Sequence, residues 1–154
     1  MGSFFYGLRV FLNEVFLSAM AAVFVSQVIK IWFYMHKNGL SLNNLVFAFL
    51  SMGGMPSSHS AVVSALSLSV YFSEKWTTIT FVVIFLSFIV IRDALGVRKE
   101  VEKQTSAIKA IMKKTGLNPD KYKLSTRVGH SYAEVAFGVM LGLVIAVAVH
   151  MLFV

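Results

Sequence analysis

The chain has no cysteine, two prolines and seven acidic residues among 154. Without cysteine, a disulfide framework, a thiolate metal site and a cysteine nucleophile are all excluded. Charged residues make up only 14%, where a soluble domain carries roughly a quarter. That deficit excludes an ordinary soluble globule and a disordered chain. What takes the place of charge is apolar: 57% of the residues are hydrophobic, and the mean hydropathy is +0.75. The length suits a single domain, residues 1–154, with about four membrane spans of roughly 20 residues each. Fourteen basic residues against seven acidic ones give a net charge of +7. In so apolar a chain this excess suits anionic lipid or an anionic substrate rather than nucleic acid.

Four apolar runs stand out: Val15 to Met35, Ser58 to Phe72, Trp76 to Ile91 and Tyr132 to Val154. The second and third are slightly short of a crossing, and their polar ends extend them. The stretch 40–55 is apolar but broken by Asn43 and Asn44, so it reads as re-entrant or buried. Residues 1–13, with Phe4, Phe5 and Tyr6, read as interfacial. Ala19-Met20-Ala21 fits a signal-cleavage site, but it lies inside a run that continues to Met35, which argues against a cleaved signal.

The long polar stretch is Val97 to Arg127, which holds nine of the fourteen basic residues. Val97, Val101, Ile108 and Ile111 recur at helical spacing with lysines opposite, which predicts a basic amphipathic helix near 98–115 on anionic headgroups. Gln104 falls in the apolar stripe, where a polar side chain needs a partner. Gly116 and Asn118-Pro119 end the helix. The excess of Lys and Arg puts this stretch in the cytoplasm, with both chain ends outside. The expected class is an all-α integral membrane protein with about four spans, a re-entrant segment and a cytoplasmic amphipathic helix.

On that map the intramembrane polar residues gather at one depth: Lys30, His59, Arg92, Asp93, His130 and Glu134 all fall at inner ends of spans. Ionisable groups within spans face a bundle interior or a cavity. Gly53-Gly54-Met55-Pro56-Ser57-Ser58-His59 reads as a glycine turn feeding a helix with Pro at its first position. Such a terminus is a capped helix start, and with two hydroxyls it also suits an anion. His59 directly after it is placed to protonate a leaving group. His130 and Glu134 are four apart and share a helix face, so a carboxylate can fix the imidazole tautomer and free Nε2 as nucleophile or base. The same face continues as Gly138, Gly142, Ala146 and His150, a small-residue packing stripe, and Ala61, Ala65 and Ser69 form another. His150 reads as structural and His36 as interfacial. Lys30 fits both snorkelling and charge donation; Arg98 fits both the basic surface and an anion clamp. Asp93 has either Arg92 or Arg98 to pair with. The carboxylate cluster that a two-metal phosphatase needs is missing.

Three segments carry a resemblance to a known family: Gly-Gly-Met-Pro-Ser-Ser-His-Ser-Ala, Arg-Asp-Ala-Leu-Gly-Val-Arg-Lys and Val-Gly-His-Ser-Tyr-Ala-Glu-Val. They resemble the divergent PAP2 family, related to membrane type 2 phosphatidic acid phosphatases and vanadium haloperoxidases. The similarity runs from about Asn13 to Gly142. It implies Lys30 as a phosphate-binding lysine and Pro56-Ser57-Ser58-His59 as the Pro-Ser-Gly-His motif, with Ser58 in place of Gly. It further implies His130 and Glu134 as the His-x-x-x-Asp pair, with Glu one methylene longer. The superfamily's usual Arg lies six residues before the nucleophilic His, and Leu124 stands there in this chain. Arg98 or Arg127 is left to take its place, and Arg98 sits in the Gly-Val-Arg element.

The resemblance implies a membrane phosphatase for a lipid phosphate or diphosphate, without metal or cofactor. His130 forms a phosphohistidine, Glu134 orients it and His59 protonates the leaving oxygen. Lys30, Arg98, Ser57 and Ser58 hold the phosphate, with Asp93, Gln104 and Arg127 in support. The partners expected are a membrane lipid substrate and anionic headgroups at the basic loop, and no nucleic acid. Self-association is compatible with the sequence. The expected location is the cell (inner) membrane with the site on the cytoplasmic side. A non-catalytic protein that binds or moves lipid phosphates is the alternative, and haloperoxidase chemistry is a third, known from soluble relatives.

Overall fold

A computed structural model describes residues 13–50, 54–122, 124 and 129–154. The interfacial reading of residues 1–12 and the position of Arg127 lie outside the described residues. The described residues form helices and no strand: α1 (Glu14–Asn38), α2 (Leu42–Leu50), α3 (Ser58–Glu74), α4 (Thr78–Leu95), α5 (Val97–Lys114), a 3-10 turn (Pro119–Tyr122) and α6 (Tyr132–His150).

Each helix starts and stops where local chemistry requires. The Asn13 side chain accepts a hydrogen bond from the Phe16 N–H at 2.7 Å and caps α1. Gly39, with φ 83°, ends it. Asn44 was expected only as an interruption. Its side-chain amide donates to the carbonyls of Asn38 and Gly39, at 3.0 Å each, and so ties α2 to the end of α1. Nine residues make α2 about 14 Å long, too short to cross. Ser57 caps α3 and Ser131 caps α6. Pro56 therefore lies one residue before the cap of α3, not at the first helical position that the sequence suggests.

The centre of the bundle is built from small residues. Ser18, Ala22, Ser26 and Lys30 form the buried edge of α1 at four-residue intervals. The buried side of α3 carries Ser60, Ala61, Ser64, Ala65 and Ser69, and that of α6 carries Gly138, Gly142 and Ala146. A Cβ at Gly142 would collide with the Ala61 carbonyl, and one at Gly138 with the Ser57 carbonyl. Close backbone approach replaces hydrophobic burial as the source of packing energy, as lipid-embedded helices require. The large apolar side chains point the other way: Phe24, Phe85, Phe88, Ile89, Met140 and Val144 are all exposed. An apolar outer surface of this extent needs lipid around it.

The central helix is α3, packed against α1, α4 and α6. Three stretches are long and apolar enough to cross a membrane: Glu14–Asn38, Thr78–Lys114 and Tyr132–His150. Expected as the second span, α3 has 17 residues, about 25 Å, and is shorter than those three. The last run also ends earlier than expected, with α6 stopping at His150 and residues 151–153 in turns. At Gly96 the chain leaves the bundle as α5, which buries none of its residues. The basic amphipathic helix is where the sequence puts it, and Gly116, with φ 76°, closes it.

Candidate functional site

The starts of α3 and α6, the end of α4 and the part of α1 around Lys30 bring the sequence motifs to one end of the bundle. The joint is made by backbone. The Ser57 N–H donates to the Glu134 carbonyl at 3.0 Å, linking the start of α3 to the first turn of α6. Beside it, Gly138 lies against the Ser57 carbonyl. On the other side, the His130 N–H donates to the Ala94 carbonyl at 3.3 Å, fastening the start of α6 to the end of α4.

His130 is 3% exposed, and its Nδ1 lies 3.3 Å from Glu134 Oε2. The spacing predicts two residues on one helix face. The pair forms differently: His130 precedes the cap residue and is not helical. The capping box makes the contact instead. Glu134 turns back to accept the Ser131 N–H at 2.8 Å, and Ser131 Oγ accepts the Glu134 N–H at 3.2 Å. A carboxylate held by its own backbone thus meets the imidazole. Burial pushes the His130 imidazole below its ordinary value; the Glu134 carboxylate opposes this, and Lys30 and Arg98 add to it. The ring is therefore neutral near pH 7.

The cations and the second histidine surround this pair. Lys30 is 6% exposed, interacts electrostatically with Glu134 and runs its stem past Gly54. His59 is exposed and within electrostatic range of Arg98, His130, Lys30 and Asp93. Asp93 pairs with Arg98, whose Nε lies 2.6 Å from Asp93 Oδ2, while Arg92 is exposed. Ser57 Oγ accepts from Ser60 Oγ at 2.9 Å and from the Ser60 N–H at 3.4 Å, so this hydroxyl serves the cap. Ser58 Oγ is buried without a hydrogen-bond partner among the described residues. Gln104 is exposed on α5, away from this group, because the stripe it belongs to is itself exposed. Leu124 is half-buried.

Two contributors escape a reading by motif. Ser60 is fully buried and supports Ser57. Glu102 Oε2 accepts the Gly129 N–H at 3.2 Å, while Oε1 meets Lys99 Nζ at 3.1 Å. Glu102 stands among lysines of a solvated helix, and its target is 27 residues away. A carboxylate inside a basic run was the one available signal. Among the described residues no group of three His, Asp or Glu side chains could hold a metal ion. His36 is exposed and stacks on Trp32, with ring centroids 5.7 Å apart. His150 is engaged at the other end of the bundle.

The arrangement offers a buried, neutral, carboxylate-oriented imidazole among cations. The chain is 31% identical over 150 residues to YuiD of Bacillus subtilis (strain 168), described as an uncharacterized membrane protein. That match covers 86% of this chain and 91% of YuiD. No solved structure matches the chain significantly. The model of the divergent PAP2 family matches residues 11–145, and its span takes in Lys30, the Ser57–His59 turn, the Asp93–Arg98 pair and the His130–Glu134 pair. The chain belongs to the divergent PAP2 family.

Proposed function

We propose that this membrane protein hydrolyses a lipid phosphate or diphosphate through a phosphohistidine on His130. The observation that carries the reading is the buried His130–Glu134 pair, 3.3 Å apart, with Lys30 and Arg98 in electrostatic range. Glu134 holds the Nδ1 proton, so Nε2 attacks phosphorus. The P–N bond forms as the bond to the lipid oxygen breaks. Protonated His59 gives its proton to that oxygen, and neutral His59 then takes one from the water that attacks the phosphohistidine. Phosphate departs and His130 is regenerated. Lys30, Arg98, Ser58 and first-turn N–H groups of α3 balance the charge that grows on the phosphoryl oxygens. An apolar recess of about 490 Å³ lined by Phe88, Ile89, Ile91, Arg92 and Leu95 opens on the same end of α4 and suits the tail.

The same reading takes α3 as a fourth crossing and 40–55 as re-entrant, with the site on the cytoplasmic face of the cell membrane. A thiol introduced by Lys113→Cys is unique in this chain; labelling from outside intact cells would invert the topology.

One observation favours a second reading. Leu124 replaces the superfamily's arginine, and Arg98, its substitute, spends its Nε on Asp93. That suits a protein that binds lipid phosphates without cleaving them. Purified protein and a panel of lipid phosphates separate the two: release of inorganic phosphate, lost in His130→Ala, supports the enzyme. Binding without release by the wild type supports the carrier.

A further inference from the structure

The amphipathic helix α5 has two faces with different partners. Its apolar stripe is uncovered: Val97, Val101, Ile108 and Ile111 are 65%, 41%, 48% and 61% exposed. Its opposite face carries Arg98, Lys99, Lys103, Lys109 and Lys113. That face also touches the site. Glu102 holds the Gly129 N–H, and Gly129 is buried so tightly against Lys99 that an added Cβ would lie 2.6 Å from the Lys99 Cα. The next residue is His130. Helix α4, which leads into α5, is among the stretches apolar enough to cross a membrane, so α5 emerges at a membrane surface.

We propose that α5 seats its apolar stripe in a bilayer surface containing anionic lipid, and that Glu102, as a positioning residue, passes this seating to Gly129 and so fixes His130. The occupant follows from charge and position. A stripe flanked by lysines beside a spanning helix matches anionic headgroups with acyl chains beneath them. The coupling follows from chemistry. A carboxylate accepting a backbone N–H makes a charge-assisted bond, and Lys99 holds that carboxylate in place. With Gly129 pressed on the α5 backbone, any tilt of α5 moves the residue beside the nucleophile. The effect on turnover rests on the phosphatase reading; the effect on structure does not.

The test uses the full chain in nanodiscs of phosphatidylcholine, with and without phosphatidylglycerol. A polarity-sensitive fluorophore on Ile108→Cys reports seating, and hydrogen exchange of residues 129–134 reports the loop. Anionic lipid is expected to shift the probe to an apolar environment and to slow exchange at 129–134. Glu102→Ala is expected to keep the probe shift, lose the slowing of exchange and lower kcat by up to about 100-fold with KM unchanged. Glu102→Gln, which keeps an acceptor oxygen, should recover part of both. Glu100→Gln, whose carboxylate meets only Lys103 on the exposed side, should match the wild type. The proposal is overturned if anionic lipid leaves the probe unmoved, or if exchange at 129–134 is the same in Glu102→Ala. It is equally overturned if the probe shifts in detergent as the protein self-associates, since a second copy then covers the stripe. Probe and exchange responses as expected, with no phosphate released even by the wild type, uphold the coupling and sink the phosphatase reading instead.

Discussion

Two histidines flank helix α6, His130 just before its cap and His150 at its last residue, and each meets a glutamate. His130 and Glu134 are 3.3 Å apart at its start, and His150 and Glu14 are 2.9 Å apart at its end. The 19 residues of α6 hold the two histidines apart, about 28 Å of helix and close to the thickness of a hydrocarbon core. The residue types are the same and the surroundings are not. His130 is buried, its glutamate is clamped by the same helix, and Lys30 and Arg98 are in range. His150 takes its glutamate from α1 and stacks on Phe72 of α3, with ring centroids 4.1 Å apart. One pair sits in a field of cations that suits a phosphate. The other fastens three helices together. A His–Glu contact is therefore no sign of catalysis until its neighbours are counted.

The comparison breaks first at the nucleophile. His130→Ala is expected to abolish phosphate release and any acid-labile phosphoenzyme, read by trapping with labelled substrate. Wild-type release from that variant would move the nucleophile elsewhere. Glu134→Gln should keep the fold and lose about 10²–10⁴-fold in rate, as in other carboxylate–histidine pairs; its circular dichroism and turnover are measured together. Gly142→Val, between the two pairs, should cost about 1–3 kcal/mol by forcing α6 off α3, read as a lower melting temperature in detergent. His150→Ala should cost about 1 kcal/mol through the lost contact with Glu14, and leave turnover per folded molecule unchanged. A fall in turnover at constant fold would mean that the far pair also serves the chemistry. The smallest effect is a pH dependence at His130. Burial pushes the His130 imidazole below its ordinary value, so Nε2 takes up the proton that blocks attack only at more acidic pH. Phosphoenzyme formation should fall as pH drops through that depressed value. An NMR titration of the His130 ring with a midpoint above 6.5 would contradict this.

Much of this was legible in the residues, for reasons that can be named. The stripe Gly138, Gly142, Ala146 is visible because helical period and small size coincide, and it does line the bundle. The basic helix and its end at Gly116 are visible because charge, period and glycine agree. The His130–Glu134 contact was legible as a spacing but not as a geometry, since a capping box rather than a helix face brings the two together. The polar edge of α1 was hidden, because Ser18 and Ser26 look unremarkable inside an apolar run; only Lys30 announces it. Glu102 was hidden for another reason. Its bond to Gly129 joins residues distant in sequence, and local pattern carries no information about such a contact. The count of spans was not legible in the same way: α3, read as a span, has 17 residues and is shorter than the three stretches long and apolar enough to cross.

The Ser57 N–H bond to the Glu134 carbonyl has an evolutionary consequence. It joins the two motifs through peptide groups alone, and Gly138 seals it by having no side chain. A change of the Ser58 side chain leaves this suture in place, because the bond uses only backbone atoms of Ser57 and Glu134. Chemistry and architecture are thus inherited separately. The contact asks only that position 57 keep its N–H and that position 138 stay without a side chain. Such a joint ties two segments by groups that every residue but proline carries, so side chains on either side can change while the contact stays.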